Sequence, residues 1–139
     1  MSTQRTLDQM RAADALEKIR QIAGPGNEVA GSYLRYIERL PATVVMNGLG
    51  QAAAMLLSNA GSDKPEQKAY SRLYGHLEAW LCRDSETAPY QGAEGLIEAV
   101  TTGDQDAYVR AQAEALAWLG WAKKFARAYL DKPEGGRPR

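Results

Sequence analysis

Apolar residues recur at intervals of three and four in every strongly patterned segment of this chain, which is the period of one face of an α-helix. The longest case follows Asp104, a good N-cap. Tyr108, Ala111, Ala115, Trp118, Leu119, Ala122, Phe125, Ala126, Tyr129 and Leu130 form one stripe there, predicting a helix to about Asp131. An opening helix is expected from a Thr6–Gln9 capping box, with Ala15, Leu16, Ile19 and Ile22 on one face, up to Gly24-Pro25-Gly26. After Asn27, another N-cap residue, Tyr33, Tyr36, Ile37 and Leu40 repeat on a second helix. Proline disfavours the α conformation in the residue before it and suits a first helical position, so a break is expected at Leu40 and a third helix over 41–59. A fourth starts near Lys64-Pro65 and places Tyr70, Leu73, Tyr74, Leu77, Trp80 and Leu81 on a stripe; a loop comes next over 84–92, then a short fifth helix over 93–101. The expected fold is all-α, a compact bundle of five to six helices with a long C-terminal helix and no sheet.

The 139 residues form one expected domain, 1–139, ordered over about 6–131, with a flexible basic tail at 132–139 that has almost nothing to bury. One Cys, Cys82, excludes an internal disulfide, and with one His, His76, it cannot fill a structural zinc site. No metal or cofactor is expected. No apolar run approaches the roughly 18 residues of a membrane span, and residues 2–11 are polar, without a visible signal peptide. Together with the cysteine usage this points to a cytoplasmic protein away from membranes.

Catalysis finds no support in the residue pattern. The run Thr43-Val44-Val45-Met46-Asn47-Gly48-Leu49-Gly50-Gln51-Ala52-Ala53 mimics a strand entering G-x-G-x-x-A, but a dinucleotide fold needs further parallel strands, and the rest of the chain reads as helix. Glycines inside a helix cost roughly 1 kcal/mol each relative to Ala, so Gly48 and Gly50 are expected to mark a close backbone approach. On this basis Gly50→Leu is expected to disrupt folding or assembly. His76 and Cys82, six apart, point about 120° from each other on a helix and share no site. The stretch 84–114 carries seven acids against one base, Arg110, and reads as a solvated or partner-facing acidic surface.

Charge placement is more informative than the zero net charge, since 17 Lys and Arg offset 17 Asp and Glu. Lys123, Lys124 and Arg127 fall on the side of the last helix away from its apolar stripe. Arg35 and Arg39 form an i,i+4 pair on the outer face of the second helix, and Lys68, Arg72 and Arg83 share the fourth. Cationic faces without an acid at i±4 suit a phosphate backbone, whereas the aromatics lie on core stripes and offer no stacking platform. Trp121 sits off the main stripe, as an interface residue does.

Two segments resemble a known family. The run from Tyr36 to Ala52, containing Leu40-Pro41 and Asn47-Gly48-Leu49-Gly50-Gln51, is similar to the L-P-x-x-I-x-x-N-G-L-G-Q segment of the small-subunit family of CRISPR type III-B (Cmr) effector complexes. The run from Ala115 to Ala126 resembles that family's W-L-x-W-x-K-x-F-A helix through Trp118, Leu119, Trp121, Lys123, Phe125 and Ala126. Thr43-Val44-Val45 and Ala52-Ala53 depart from the pattern, where bulkier apolar residues are expected. The resemblance implies a non-catalytic subunit of an RNA-guided antiviral complex, stacking in copies beside the backbone subunits and lining the groove for guide RNA and target RNA. It implies structural roles for Pro41, Asn47, Gly48, Gly50, Gln51 and Trp118. On the residues alone, a purely architectural protein-interaction module remains the alternative.

Overall fold

A computed structural model describes residues 4–24 and 27–130. Those residues form six helices: α1 (Leu7–Ile22), α2 (Ala30–Asn47), α3 (Leu49–Asn59), α4 (Pro65–Leu81), α5 (Leu96–Thr102) and α6 (Gln105–Leu130). No strand occurs among the described residues. The expected tail at 132–139, the helix end at Asp131, and Pro25 and Gly26 lie outside them. Helix starts obey local chemistry. Thr6 and Gln9 exchange the two bonds of a capping box at 2.8 and 3.0 Å, and the Asp104 carboxylate accepts from the Ala107 amide at 2.9 Å. Pro65 occupies the first turn of α4, where its missing N–H costs nothing.

The break expected at Leu40 is absent, because α2 runs through Pro41 to Asn47. A proline inside a helix costs about 3 kcal/mol. Burying Ile37, Leu40 and Val44 from one straight stripe contributes roughly 1.5–3 kcal/mol each, and a break would turn Val44 out of line. Packing wins. The chain turns instead at Gly48, whose φ of 91° and ψ of 157° lie in a region that only glycine adopts readily. Gly48 and Gly50 are therefore not inside one helix. They bracket the start of α3, where the Gln112 side-chain carbonyl accepts from the Leu49 amide and the Tyr108 hydroxyl from the Gly50 amide, each at 2.9 Å. The close approach is to α6, within the fold.

Space around the two glycines separates them. A Cβ on Gly50 would stand 3.6 Å from the Tyr108 hydroxyl, an ordinary contact, whereas one on Gly48 would come within 2.9 Å of it. Gly48→Ala is expected to lower unfolding stability by about 1–3 kcal/mol, and Gly50→Ala by less. Urea unfolding of the two variants checks this; equal midpoints would reject it.

α6 packs most extensively against α1 and α2 and supplies the centre of the core with Ala115, Trp118, Leu119, Ala122 and Ala126. Its seam with α1 and α4 is polar in an ordered way. Each of the three tryptophans donates its indole N–H to a carboxylate: Trp80 to Glu114 at 2.9 Å, Trp118 to Asp14 at 2.9 Å and Trp121 to Asp8 at 3.0 Å. Arg11 grips Glu114 through two bonds, at 2.6 and 2.9 Å, and reaches Asp8 at 3.1 Å. Two expectations are corrected here. Glu114 is buried and ion-paired rather than part of a solvated acidic face, and Trp121 docks the start of α1 while stacking on Phe125.

Candidate nucleic-acid interface

The cationic residues singled out from the sequence lie on α2 and α6, two helices packed side by side. Tyr33, Ile37, Leu40 and Val44 turn one side of α2 inward, which directs Arg35 and Arg39 outward; both are exposed. Trp118, Leu119, Ala122 and Ala126 do the same for α6. This leaves Lys123 half-buried along its flank and Lys124 and Arg127 exposed. The two helices meet at an ion pair, where Arg127 Nε donates to Glu38 Oε2 at 2.7 Å. That bridge brings the α6 cations beside α2. Among the described residues, Lys123, Lys124, Arg35 and Arg39 form no ion pair, and Arg35 makes a 3.3 Å hydrogen bond to Ser32 Oγ and lies over the Tyr36 ring.

The third cationic face expected from the sequence does not hold together. Lys68 is paired with Glu28 at 3.0 Å. Arg83 lies beyond the end of α4, stacked over Trp80 at 3.5 Å and donating to the Trp80 carbonyl at 2.6 Å and to Thr87 Oγ1 at 2.8 Å. The acids at the start of α6 lie far from the cations near its end. Asp104, at the start of α6, and Lys123 are separated by about 28 Å along the helix axis. That is several times the roughly 8 Å screening length of physiological salt, so neither end neutralises the other.

Of the residues expected to be structural, Trp118 is fully buried and bonded to Asp14, Gly48 makes the α2–α3 turn and Gly50 lies in the first turn of α3. Pro41 is half-buried within α2, while Asn47 and Gln51 are exposed on either side of the turn. The two other residues tested for chemistry are held apart. The Nδ1 of buried His76 lies 2.7 Å from the Tyr33 hydroxyl, and burial, reinforced by Lys18 and Arg72, pushes its pKa down to about 4. Burial pushes the Cys82 thiol up to about 11, aided by Glu78 and Glu98, which keeps it protonated and a poor nucleophile at neutral pH. Among the described residues no three His, Cys, Asp or Glu side chains come together as metal ligands, and no helix is long and apolar enough to cross a membrane.

The fold defines a class: a small all-helical bundle that braces its helices with internal tryptophan–carboxylate bonds and carries cations on α2 and α6. The family described as CRISPR-associated protein (Cas_Cmr5) matches residues 7–129. The "CRISPR system Cmr subunit Cmr5" of Thermus thermophilus is 30% identical over 128 residues, covering 92% of this chain and 99% of that protein. The X-ray crystal structure of a CRISPR-associated Cmr5 family protein, also from Thermus thermophilus, is similar with a TM-score of 0.66 and 32% identity, over 90% of this chain and 98% of that one. This chain belongs to the Cmr5 family.

Proposed function

We propose that this chain is the small, non-catalytic subunit of an RNA-guided CRISPR type III-B (Cmr) complex of cytoplasmic antiviral defence, and that it helps hold the guide RNA–target RNA duplex through phosphate contacts. Its partners are the other Cmr subunits, including the backbone subunits, further copies of itself, and the two RNA strands; no membrane, metal or cofactor takes part. The observation that supports the RNA reading is the Arg127–Glu38 ion pair, which joins the part of α6 that bears Lys123 and Lys124 to α2, which bears Arg35 and Arg39. Pairing between guide and target already supplies sequence specificity, so the subunit reads phosphates and duplex shape. The separated acidic end, with Glu94, Glu98, Asp104 and Asp106 at its surface, supports a complementary neighbour in a stack.

The test uses the assembled complex carrying Lys123→Ala, Lys124→Ala and Arg127→Ala together. RNA affinity is expected to fall by a similar factor for every target sequence, and the log–log salt slope to shrink by roughly one unit per lost contact. Losing the exposed Arg127–Glu38 pair costs the fold at most about 1 kcal/mol, so the variant incorporates normally. Unchanged affinity and slope in an intact complex would leave only the architectural role.

A further inference from the structure

On the side of α2 away from Glu38, Tyr36 stacks on Tyr70 of α4, with ring centroids 3.9 Å apart and planes 13° from parallel. The Arg35 guanidinium lies 5.4 Å from the centre of the Tyr36 ring. Both tyrosines remain half-exposed. Beside them is a cleft walled by Tyr36, Arg39, Thr43, Met55 and Tyr70 and floored by Leu40 and Leu56. Its volume is about 170 Å³. At about 30 Å³ per water this is the room of five or six waters, enough for one planar heterocycle and far too little for a helix.

We propose that this cleft holds the base of an unpaired RNA nucleotide, with Arg35 and Arg39 meeting the flanking phosphates. The inference rests on the RNA-binding reading above and adds a site of a different kind, since the faces of paired bases are already stacked inside a duplex. The chemistry of the walls selects this ligand. Aromatic rings and a thioether favour a flat, polarisable ring, and the Thr43 hydroxyl supplies an edge group that can donate or accept. Arg35 and Arg39 leave the helix one turn apart, about 6 Å along its axis at the backbone, and are unpaired with acids among the described residues, so they supply charge for a backbone that carries a negative charge at each nucleotide. Both arginines act electrostatically on the Tyr70 hydroxyl, which burial and Tyr36 push upward and Arg39 and Arg35 draw back down.

Base–aromatic stacking is worth about 1–3 kcal/mol per base, so Tyr70→Leu is expected to weaken binding of unpaired RNA by the full complex about fivefold to a hundredfold. Duplex affinity stays unchanged. Tyr70→Phe keeps the ring and is expected to bind as the parent does. Arg39→Gln leaves the stack in place and is expected to reduce the salt slope for unpaired RNA by roughly one unit. A 4-thiouridine placed in an unpaired stretch is expected to cross-link to peptides containing Tyr36 or Tyr70. If Tyr70→Leu and Arg39→Gln, both folded by circular dichroism and incorporated, bind unpaired RNA as the parent does, the cleft proposal is wrong. Duplex binding that still weakens on changing Lys123, Lys124 and Arg127 would then keep the phosphate reading alone. Loss of neither kind of binding in any variant overturns both.

Discussion

Glu114→Ala is expected to lower the unfolding free energy of the isolated chain by about 3–5 kcal/mol, the usual result of removing one partner from a buried, hydrogen-bonded ion pair. The side chain retains only 9% of its exposure and accepts three bonds, two from Arg11 and one from the Trp80 indole. Truncation leaves the Trp80 indole N–H without its acceptor and the Arg11 guanidinium with only its bond to Asp8. Glu114→Gln keeps one acceptor oxygen and is expected to cost less, about 1.5–3 kcal/mol, because it loses the charge-assisted bonds. Burial alone would raise the Glu114 pKa, but the bonds from Arg11 and Trp80 outweigh it and hold the carboxyl below its usual range. A depressed carboxyl contributes its stability above the unfolded pKa and loses it as pH falls through the folded one, so the Glu114→Ala difference narrows only in acid. Urea titration at neutral pH decides the matter: a loss under about 1 kcal/mol would mean that the bonds merely repay desolvation.

The parts of this molecule that were legible in the sequence are those governed by near neighbours. The Thr6–Gln9 box, the Asp104 cap, the first-turn Pro65 and the stripe from Ala111 to Leu130 each act over a few residues, and each stands where its pattern places it except at Tyr129, which is exposed. Pro41 misled because its local preference competes with burial contributed by other helices, and no window around residue 41 contains those helices. The tryptophan–carboxylate bonds were hidden for the same reason. Trp118 and Asp14 are 104 positions apart, Trp121 and Asp8 are 113, and Arg11 and Glu114 are 103. An acid on a helix looks alike in sequence whether it faces water or an indole. The exposure of Lys124 and Arg127 was easier to read, since the apolar stripe of α6 turns the opposite side of the helix outward. Which of them find partners was not legible: Arg127 meets Glu38 from 89 positions away, and Tyr36 meets Tyr70 across two helices.

Mild acid is expected to destabilise the chain through His76, over a range distinct from that of Glu114. The ring packs edge-on against Tyr33, with centroids 5.5 Å apart, and Nδ1 lies 2.7 Å from the Tyr33 hydroxyl. Charging it would place a cation in a core where Lys18 and Arg72 already repel it and only Asp14 attracts it. Its folded pKa of about 4 lies below the ordinary 6.5, so between those values the unfolded chain binds a proton that the folded chain refuses. Stability from this group is complete above pH 6.5 and declines as pH falls toward 4. In full the shift corresponds to roughly 3 kcal/mol, of which about 2 kcal/mol is lost by about pH 5. His76→Gln removes the proton site while keeping a side chain able to bond Tyr33, so its stability is expected to change far less between about pH 7.5 and about pH 5. Carboxylates titrate in both proteins and cancel in the comparison. Parallel pH profiles for the parent and His76→Gln would show that the ring accepts its proton without penalty, with water reaching it despite the packing of Tyr33.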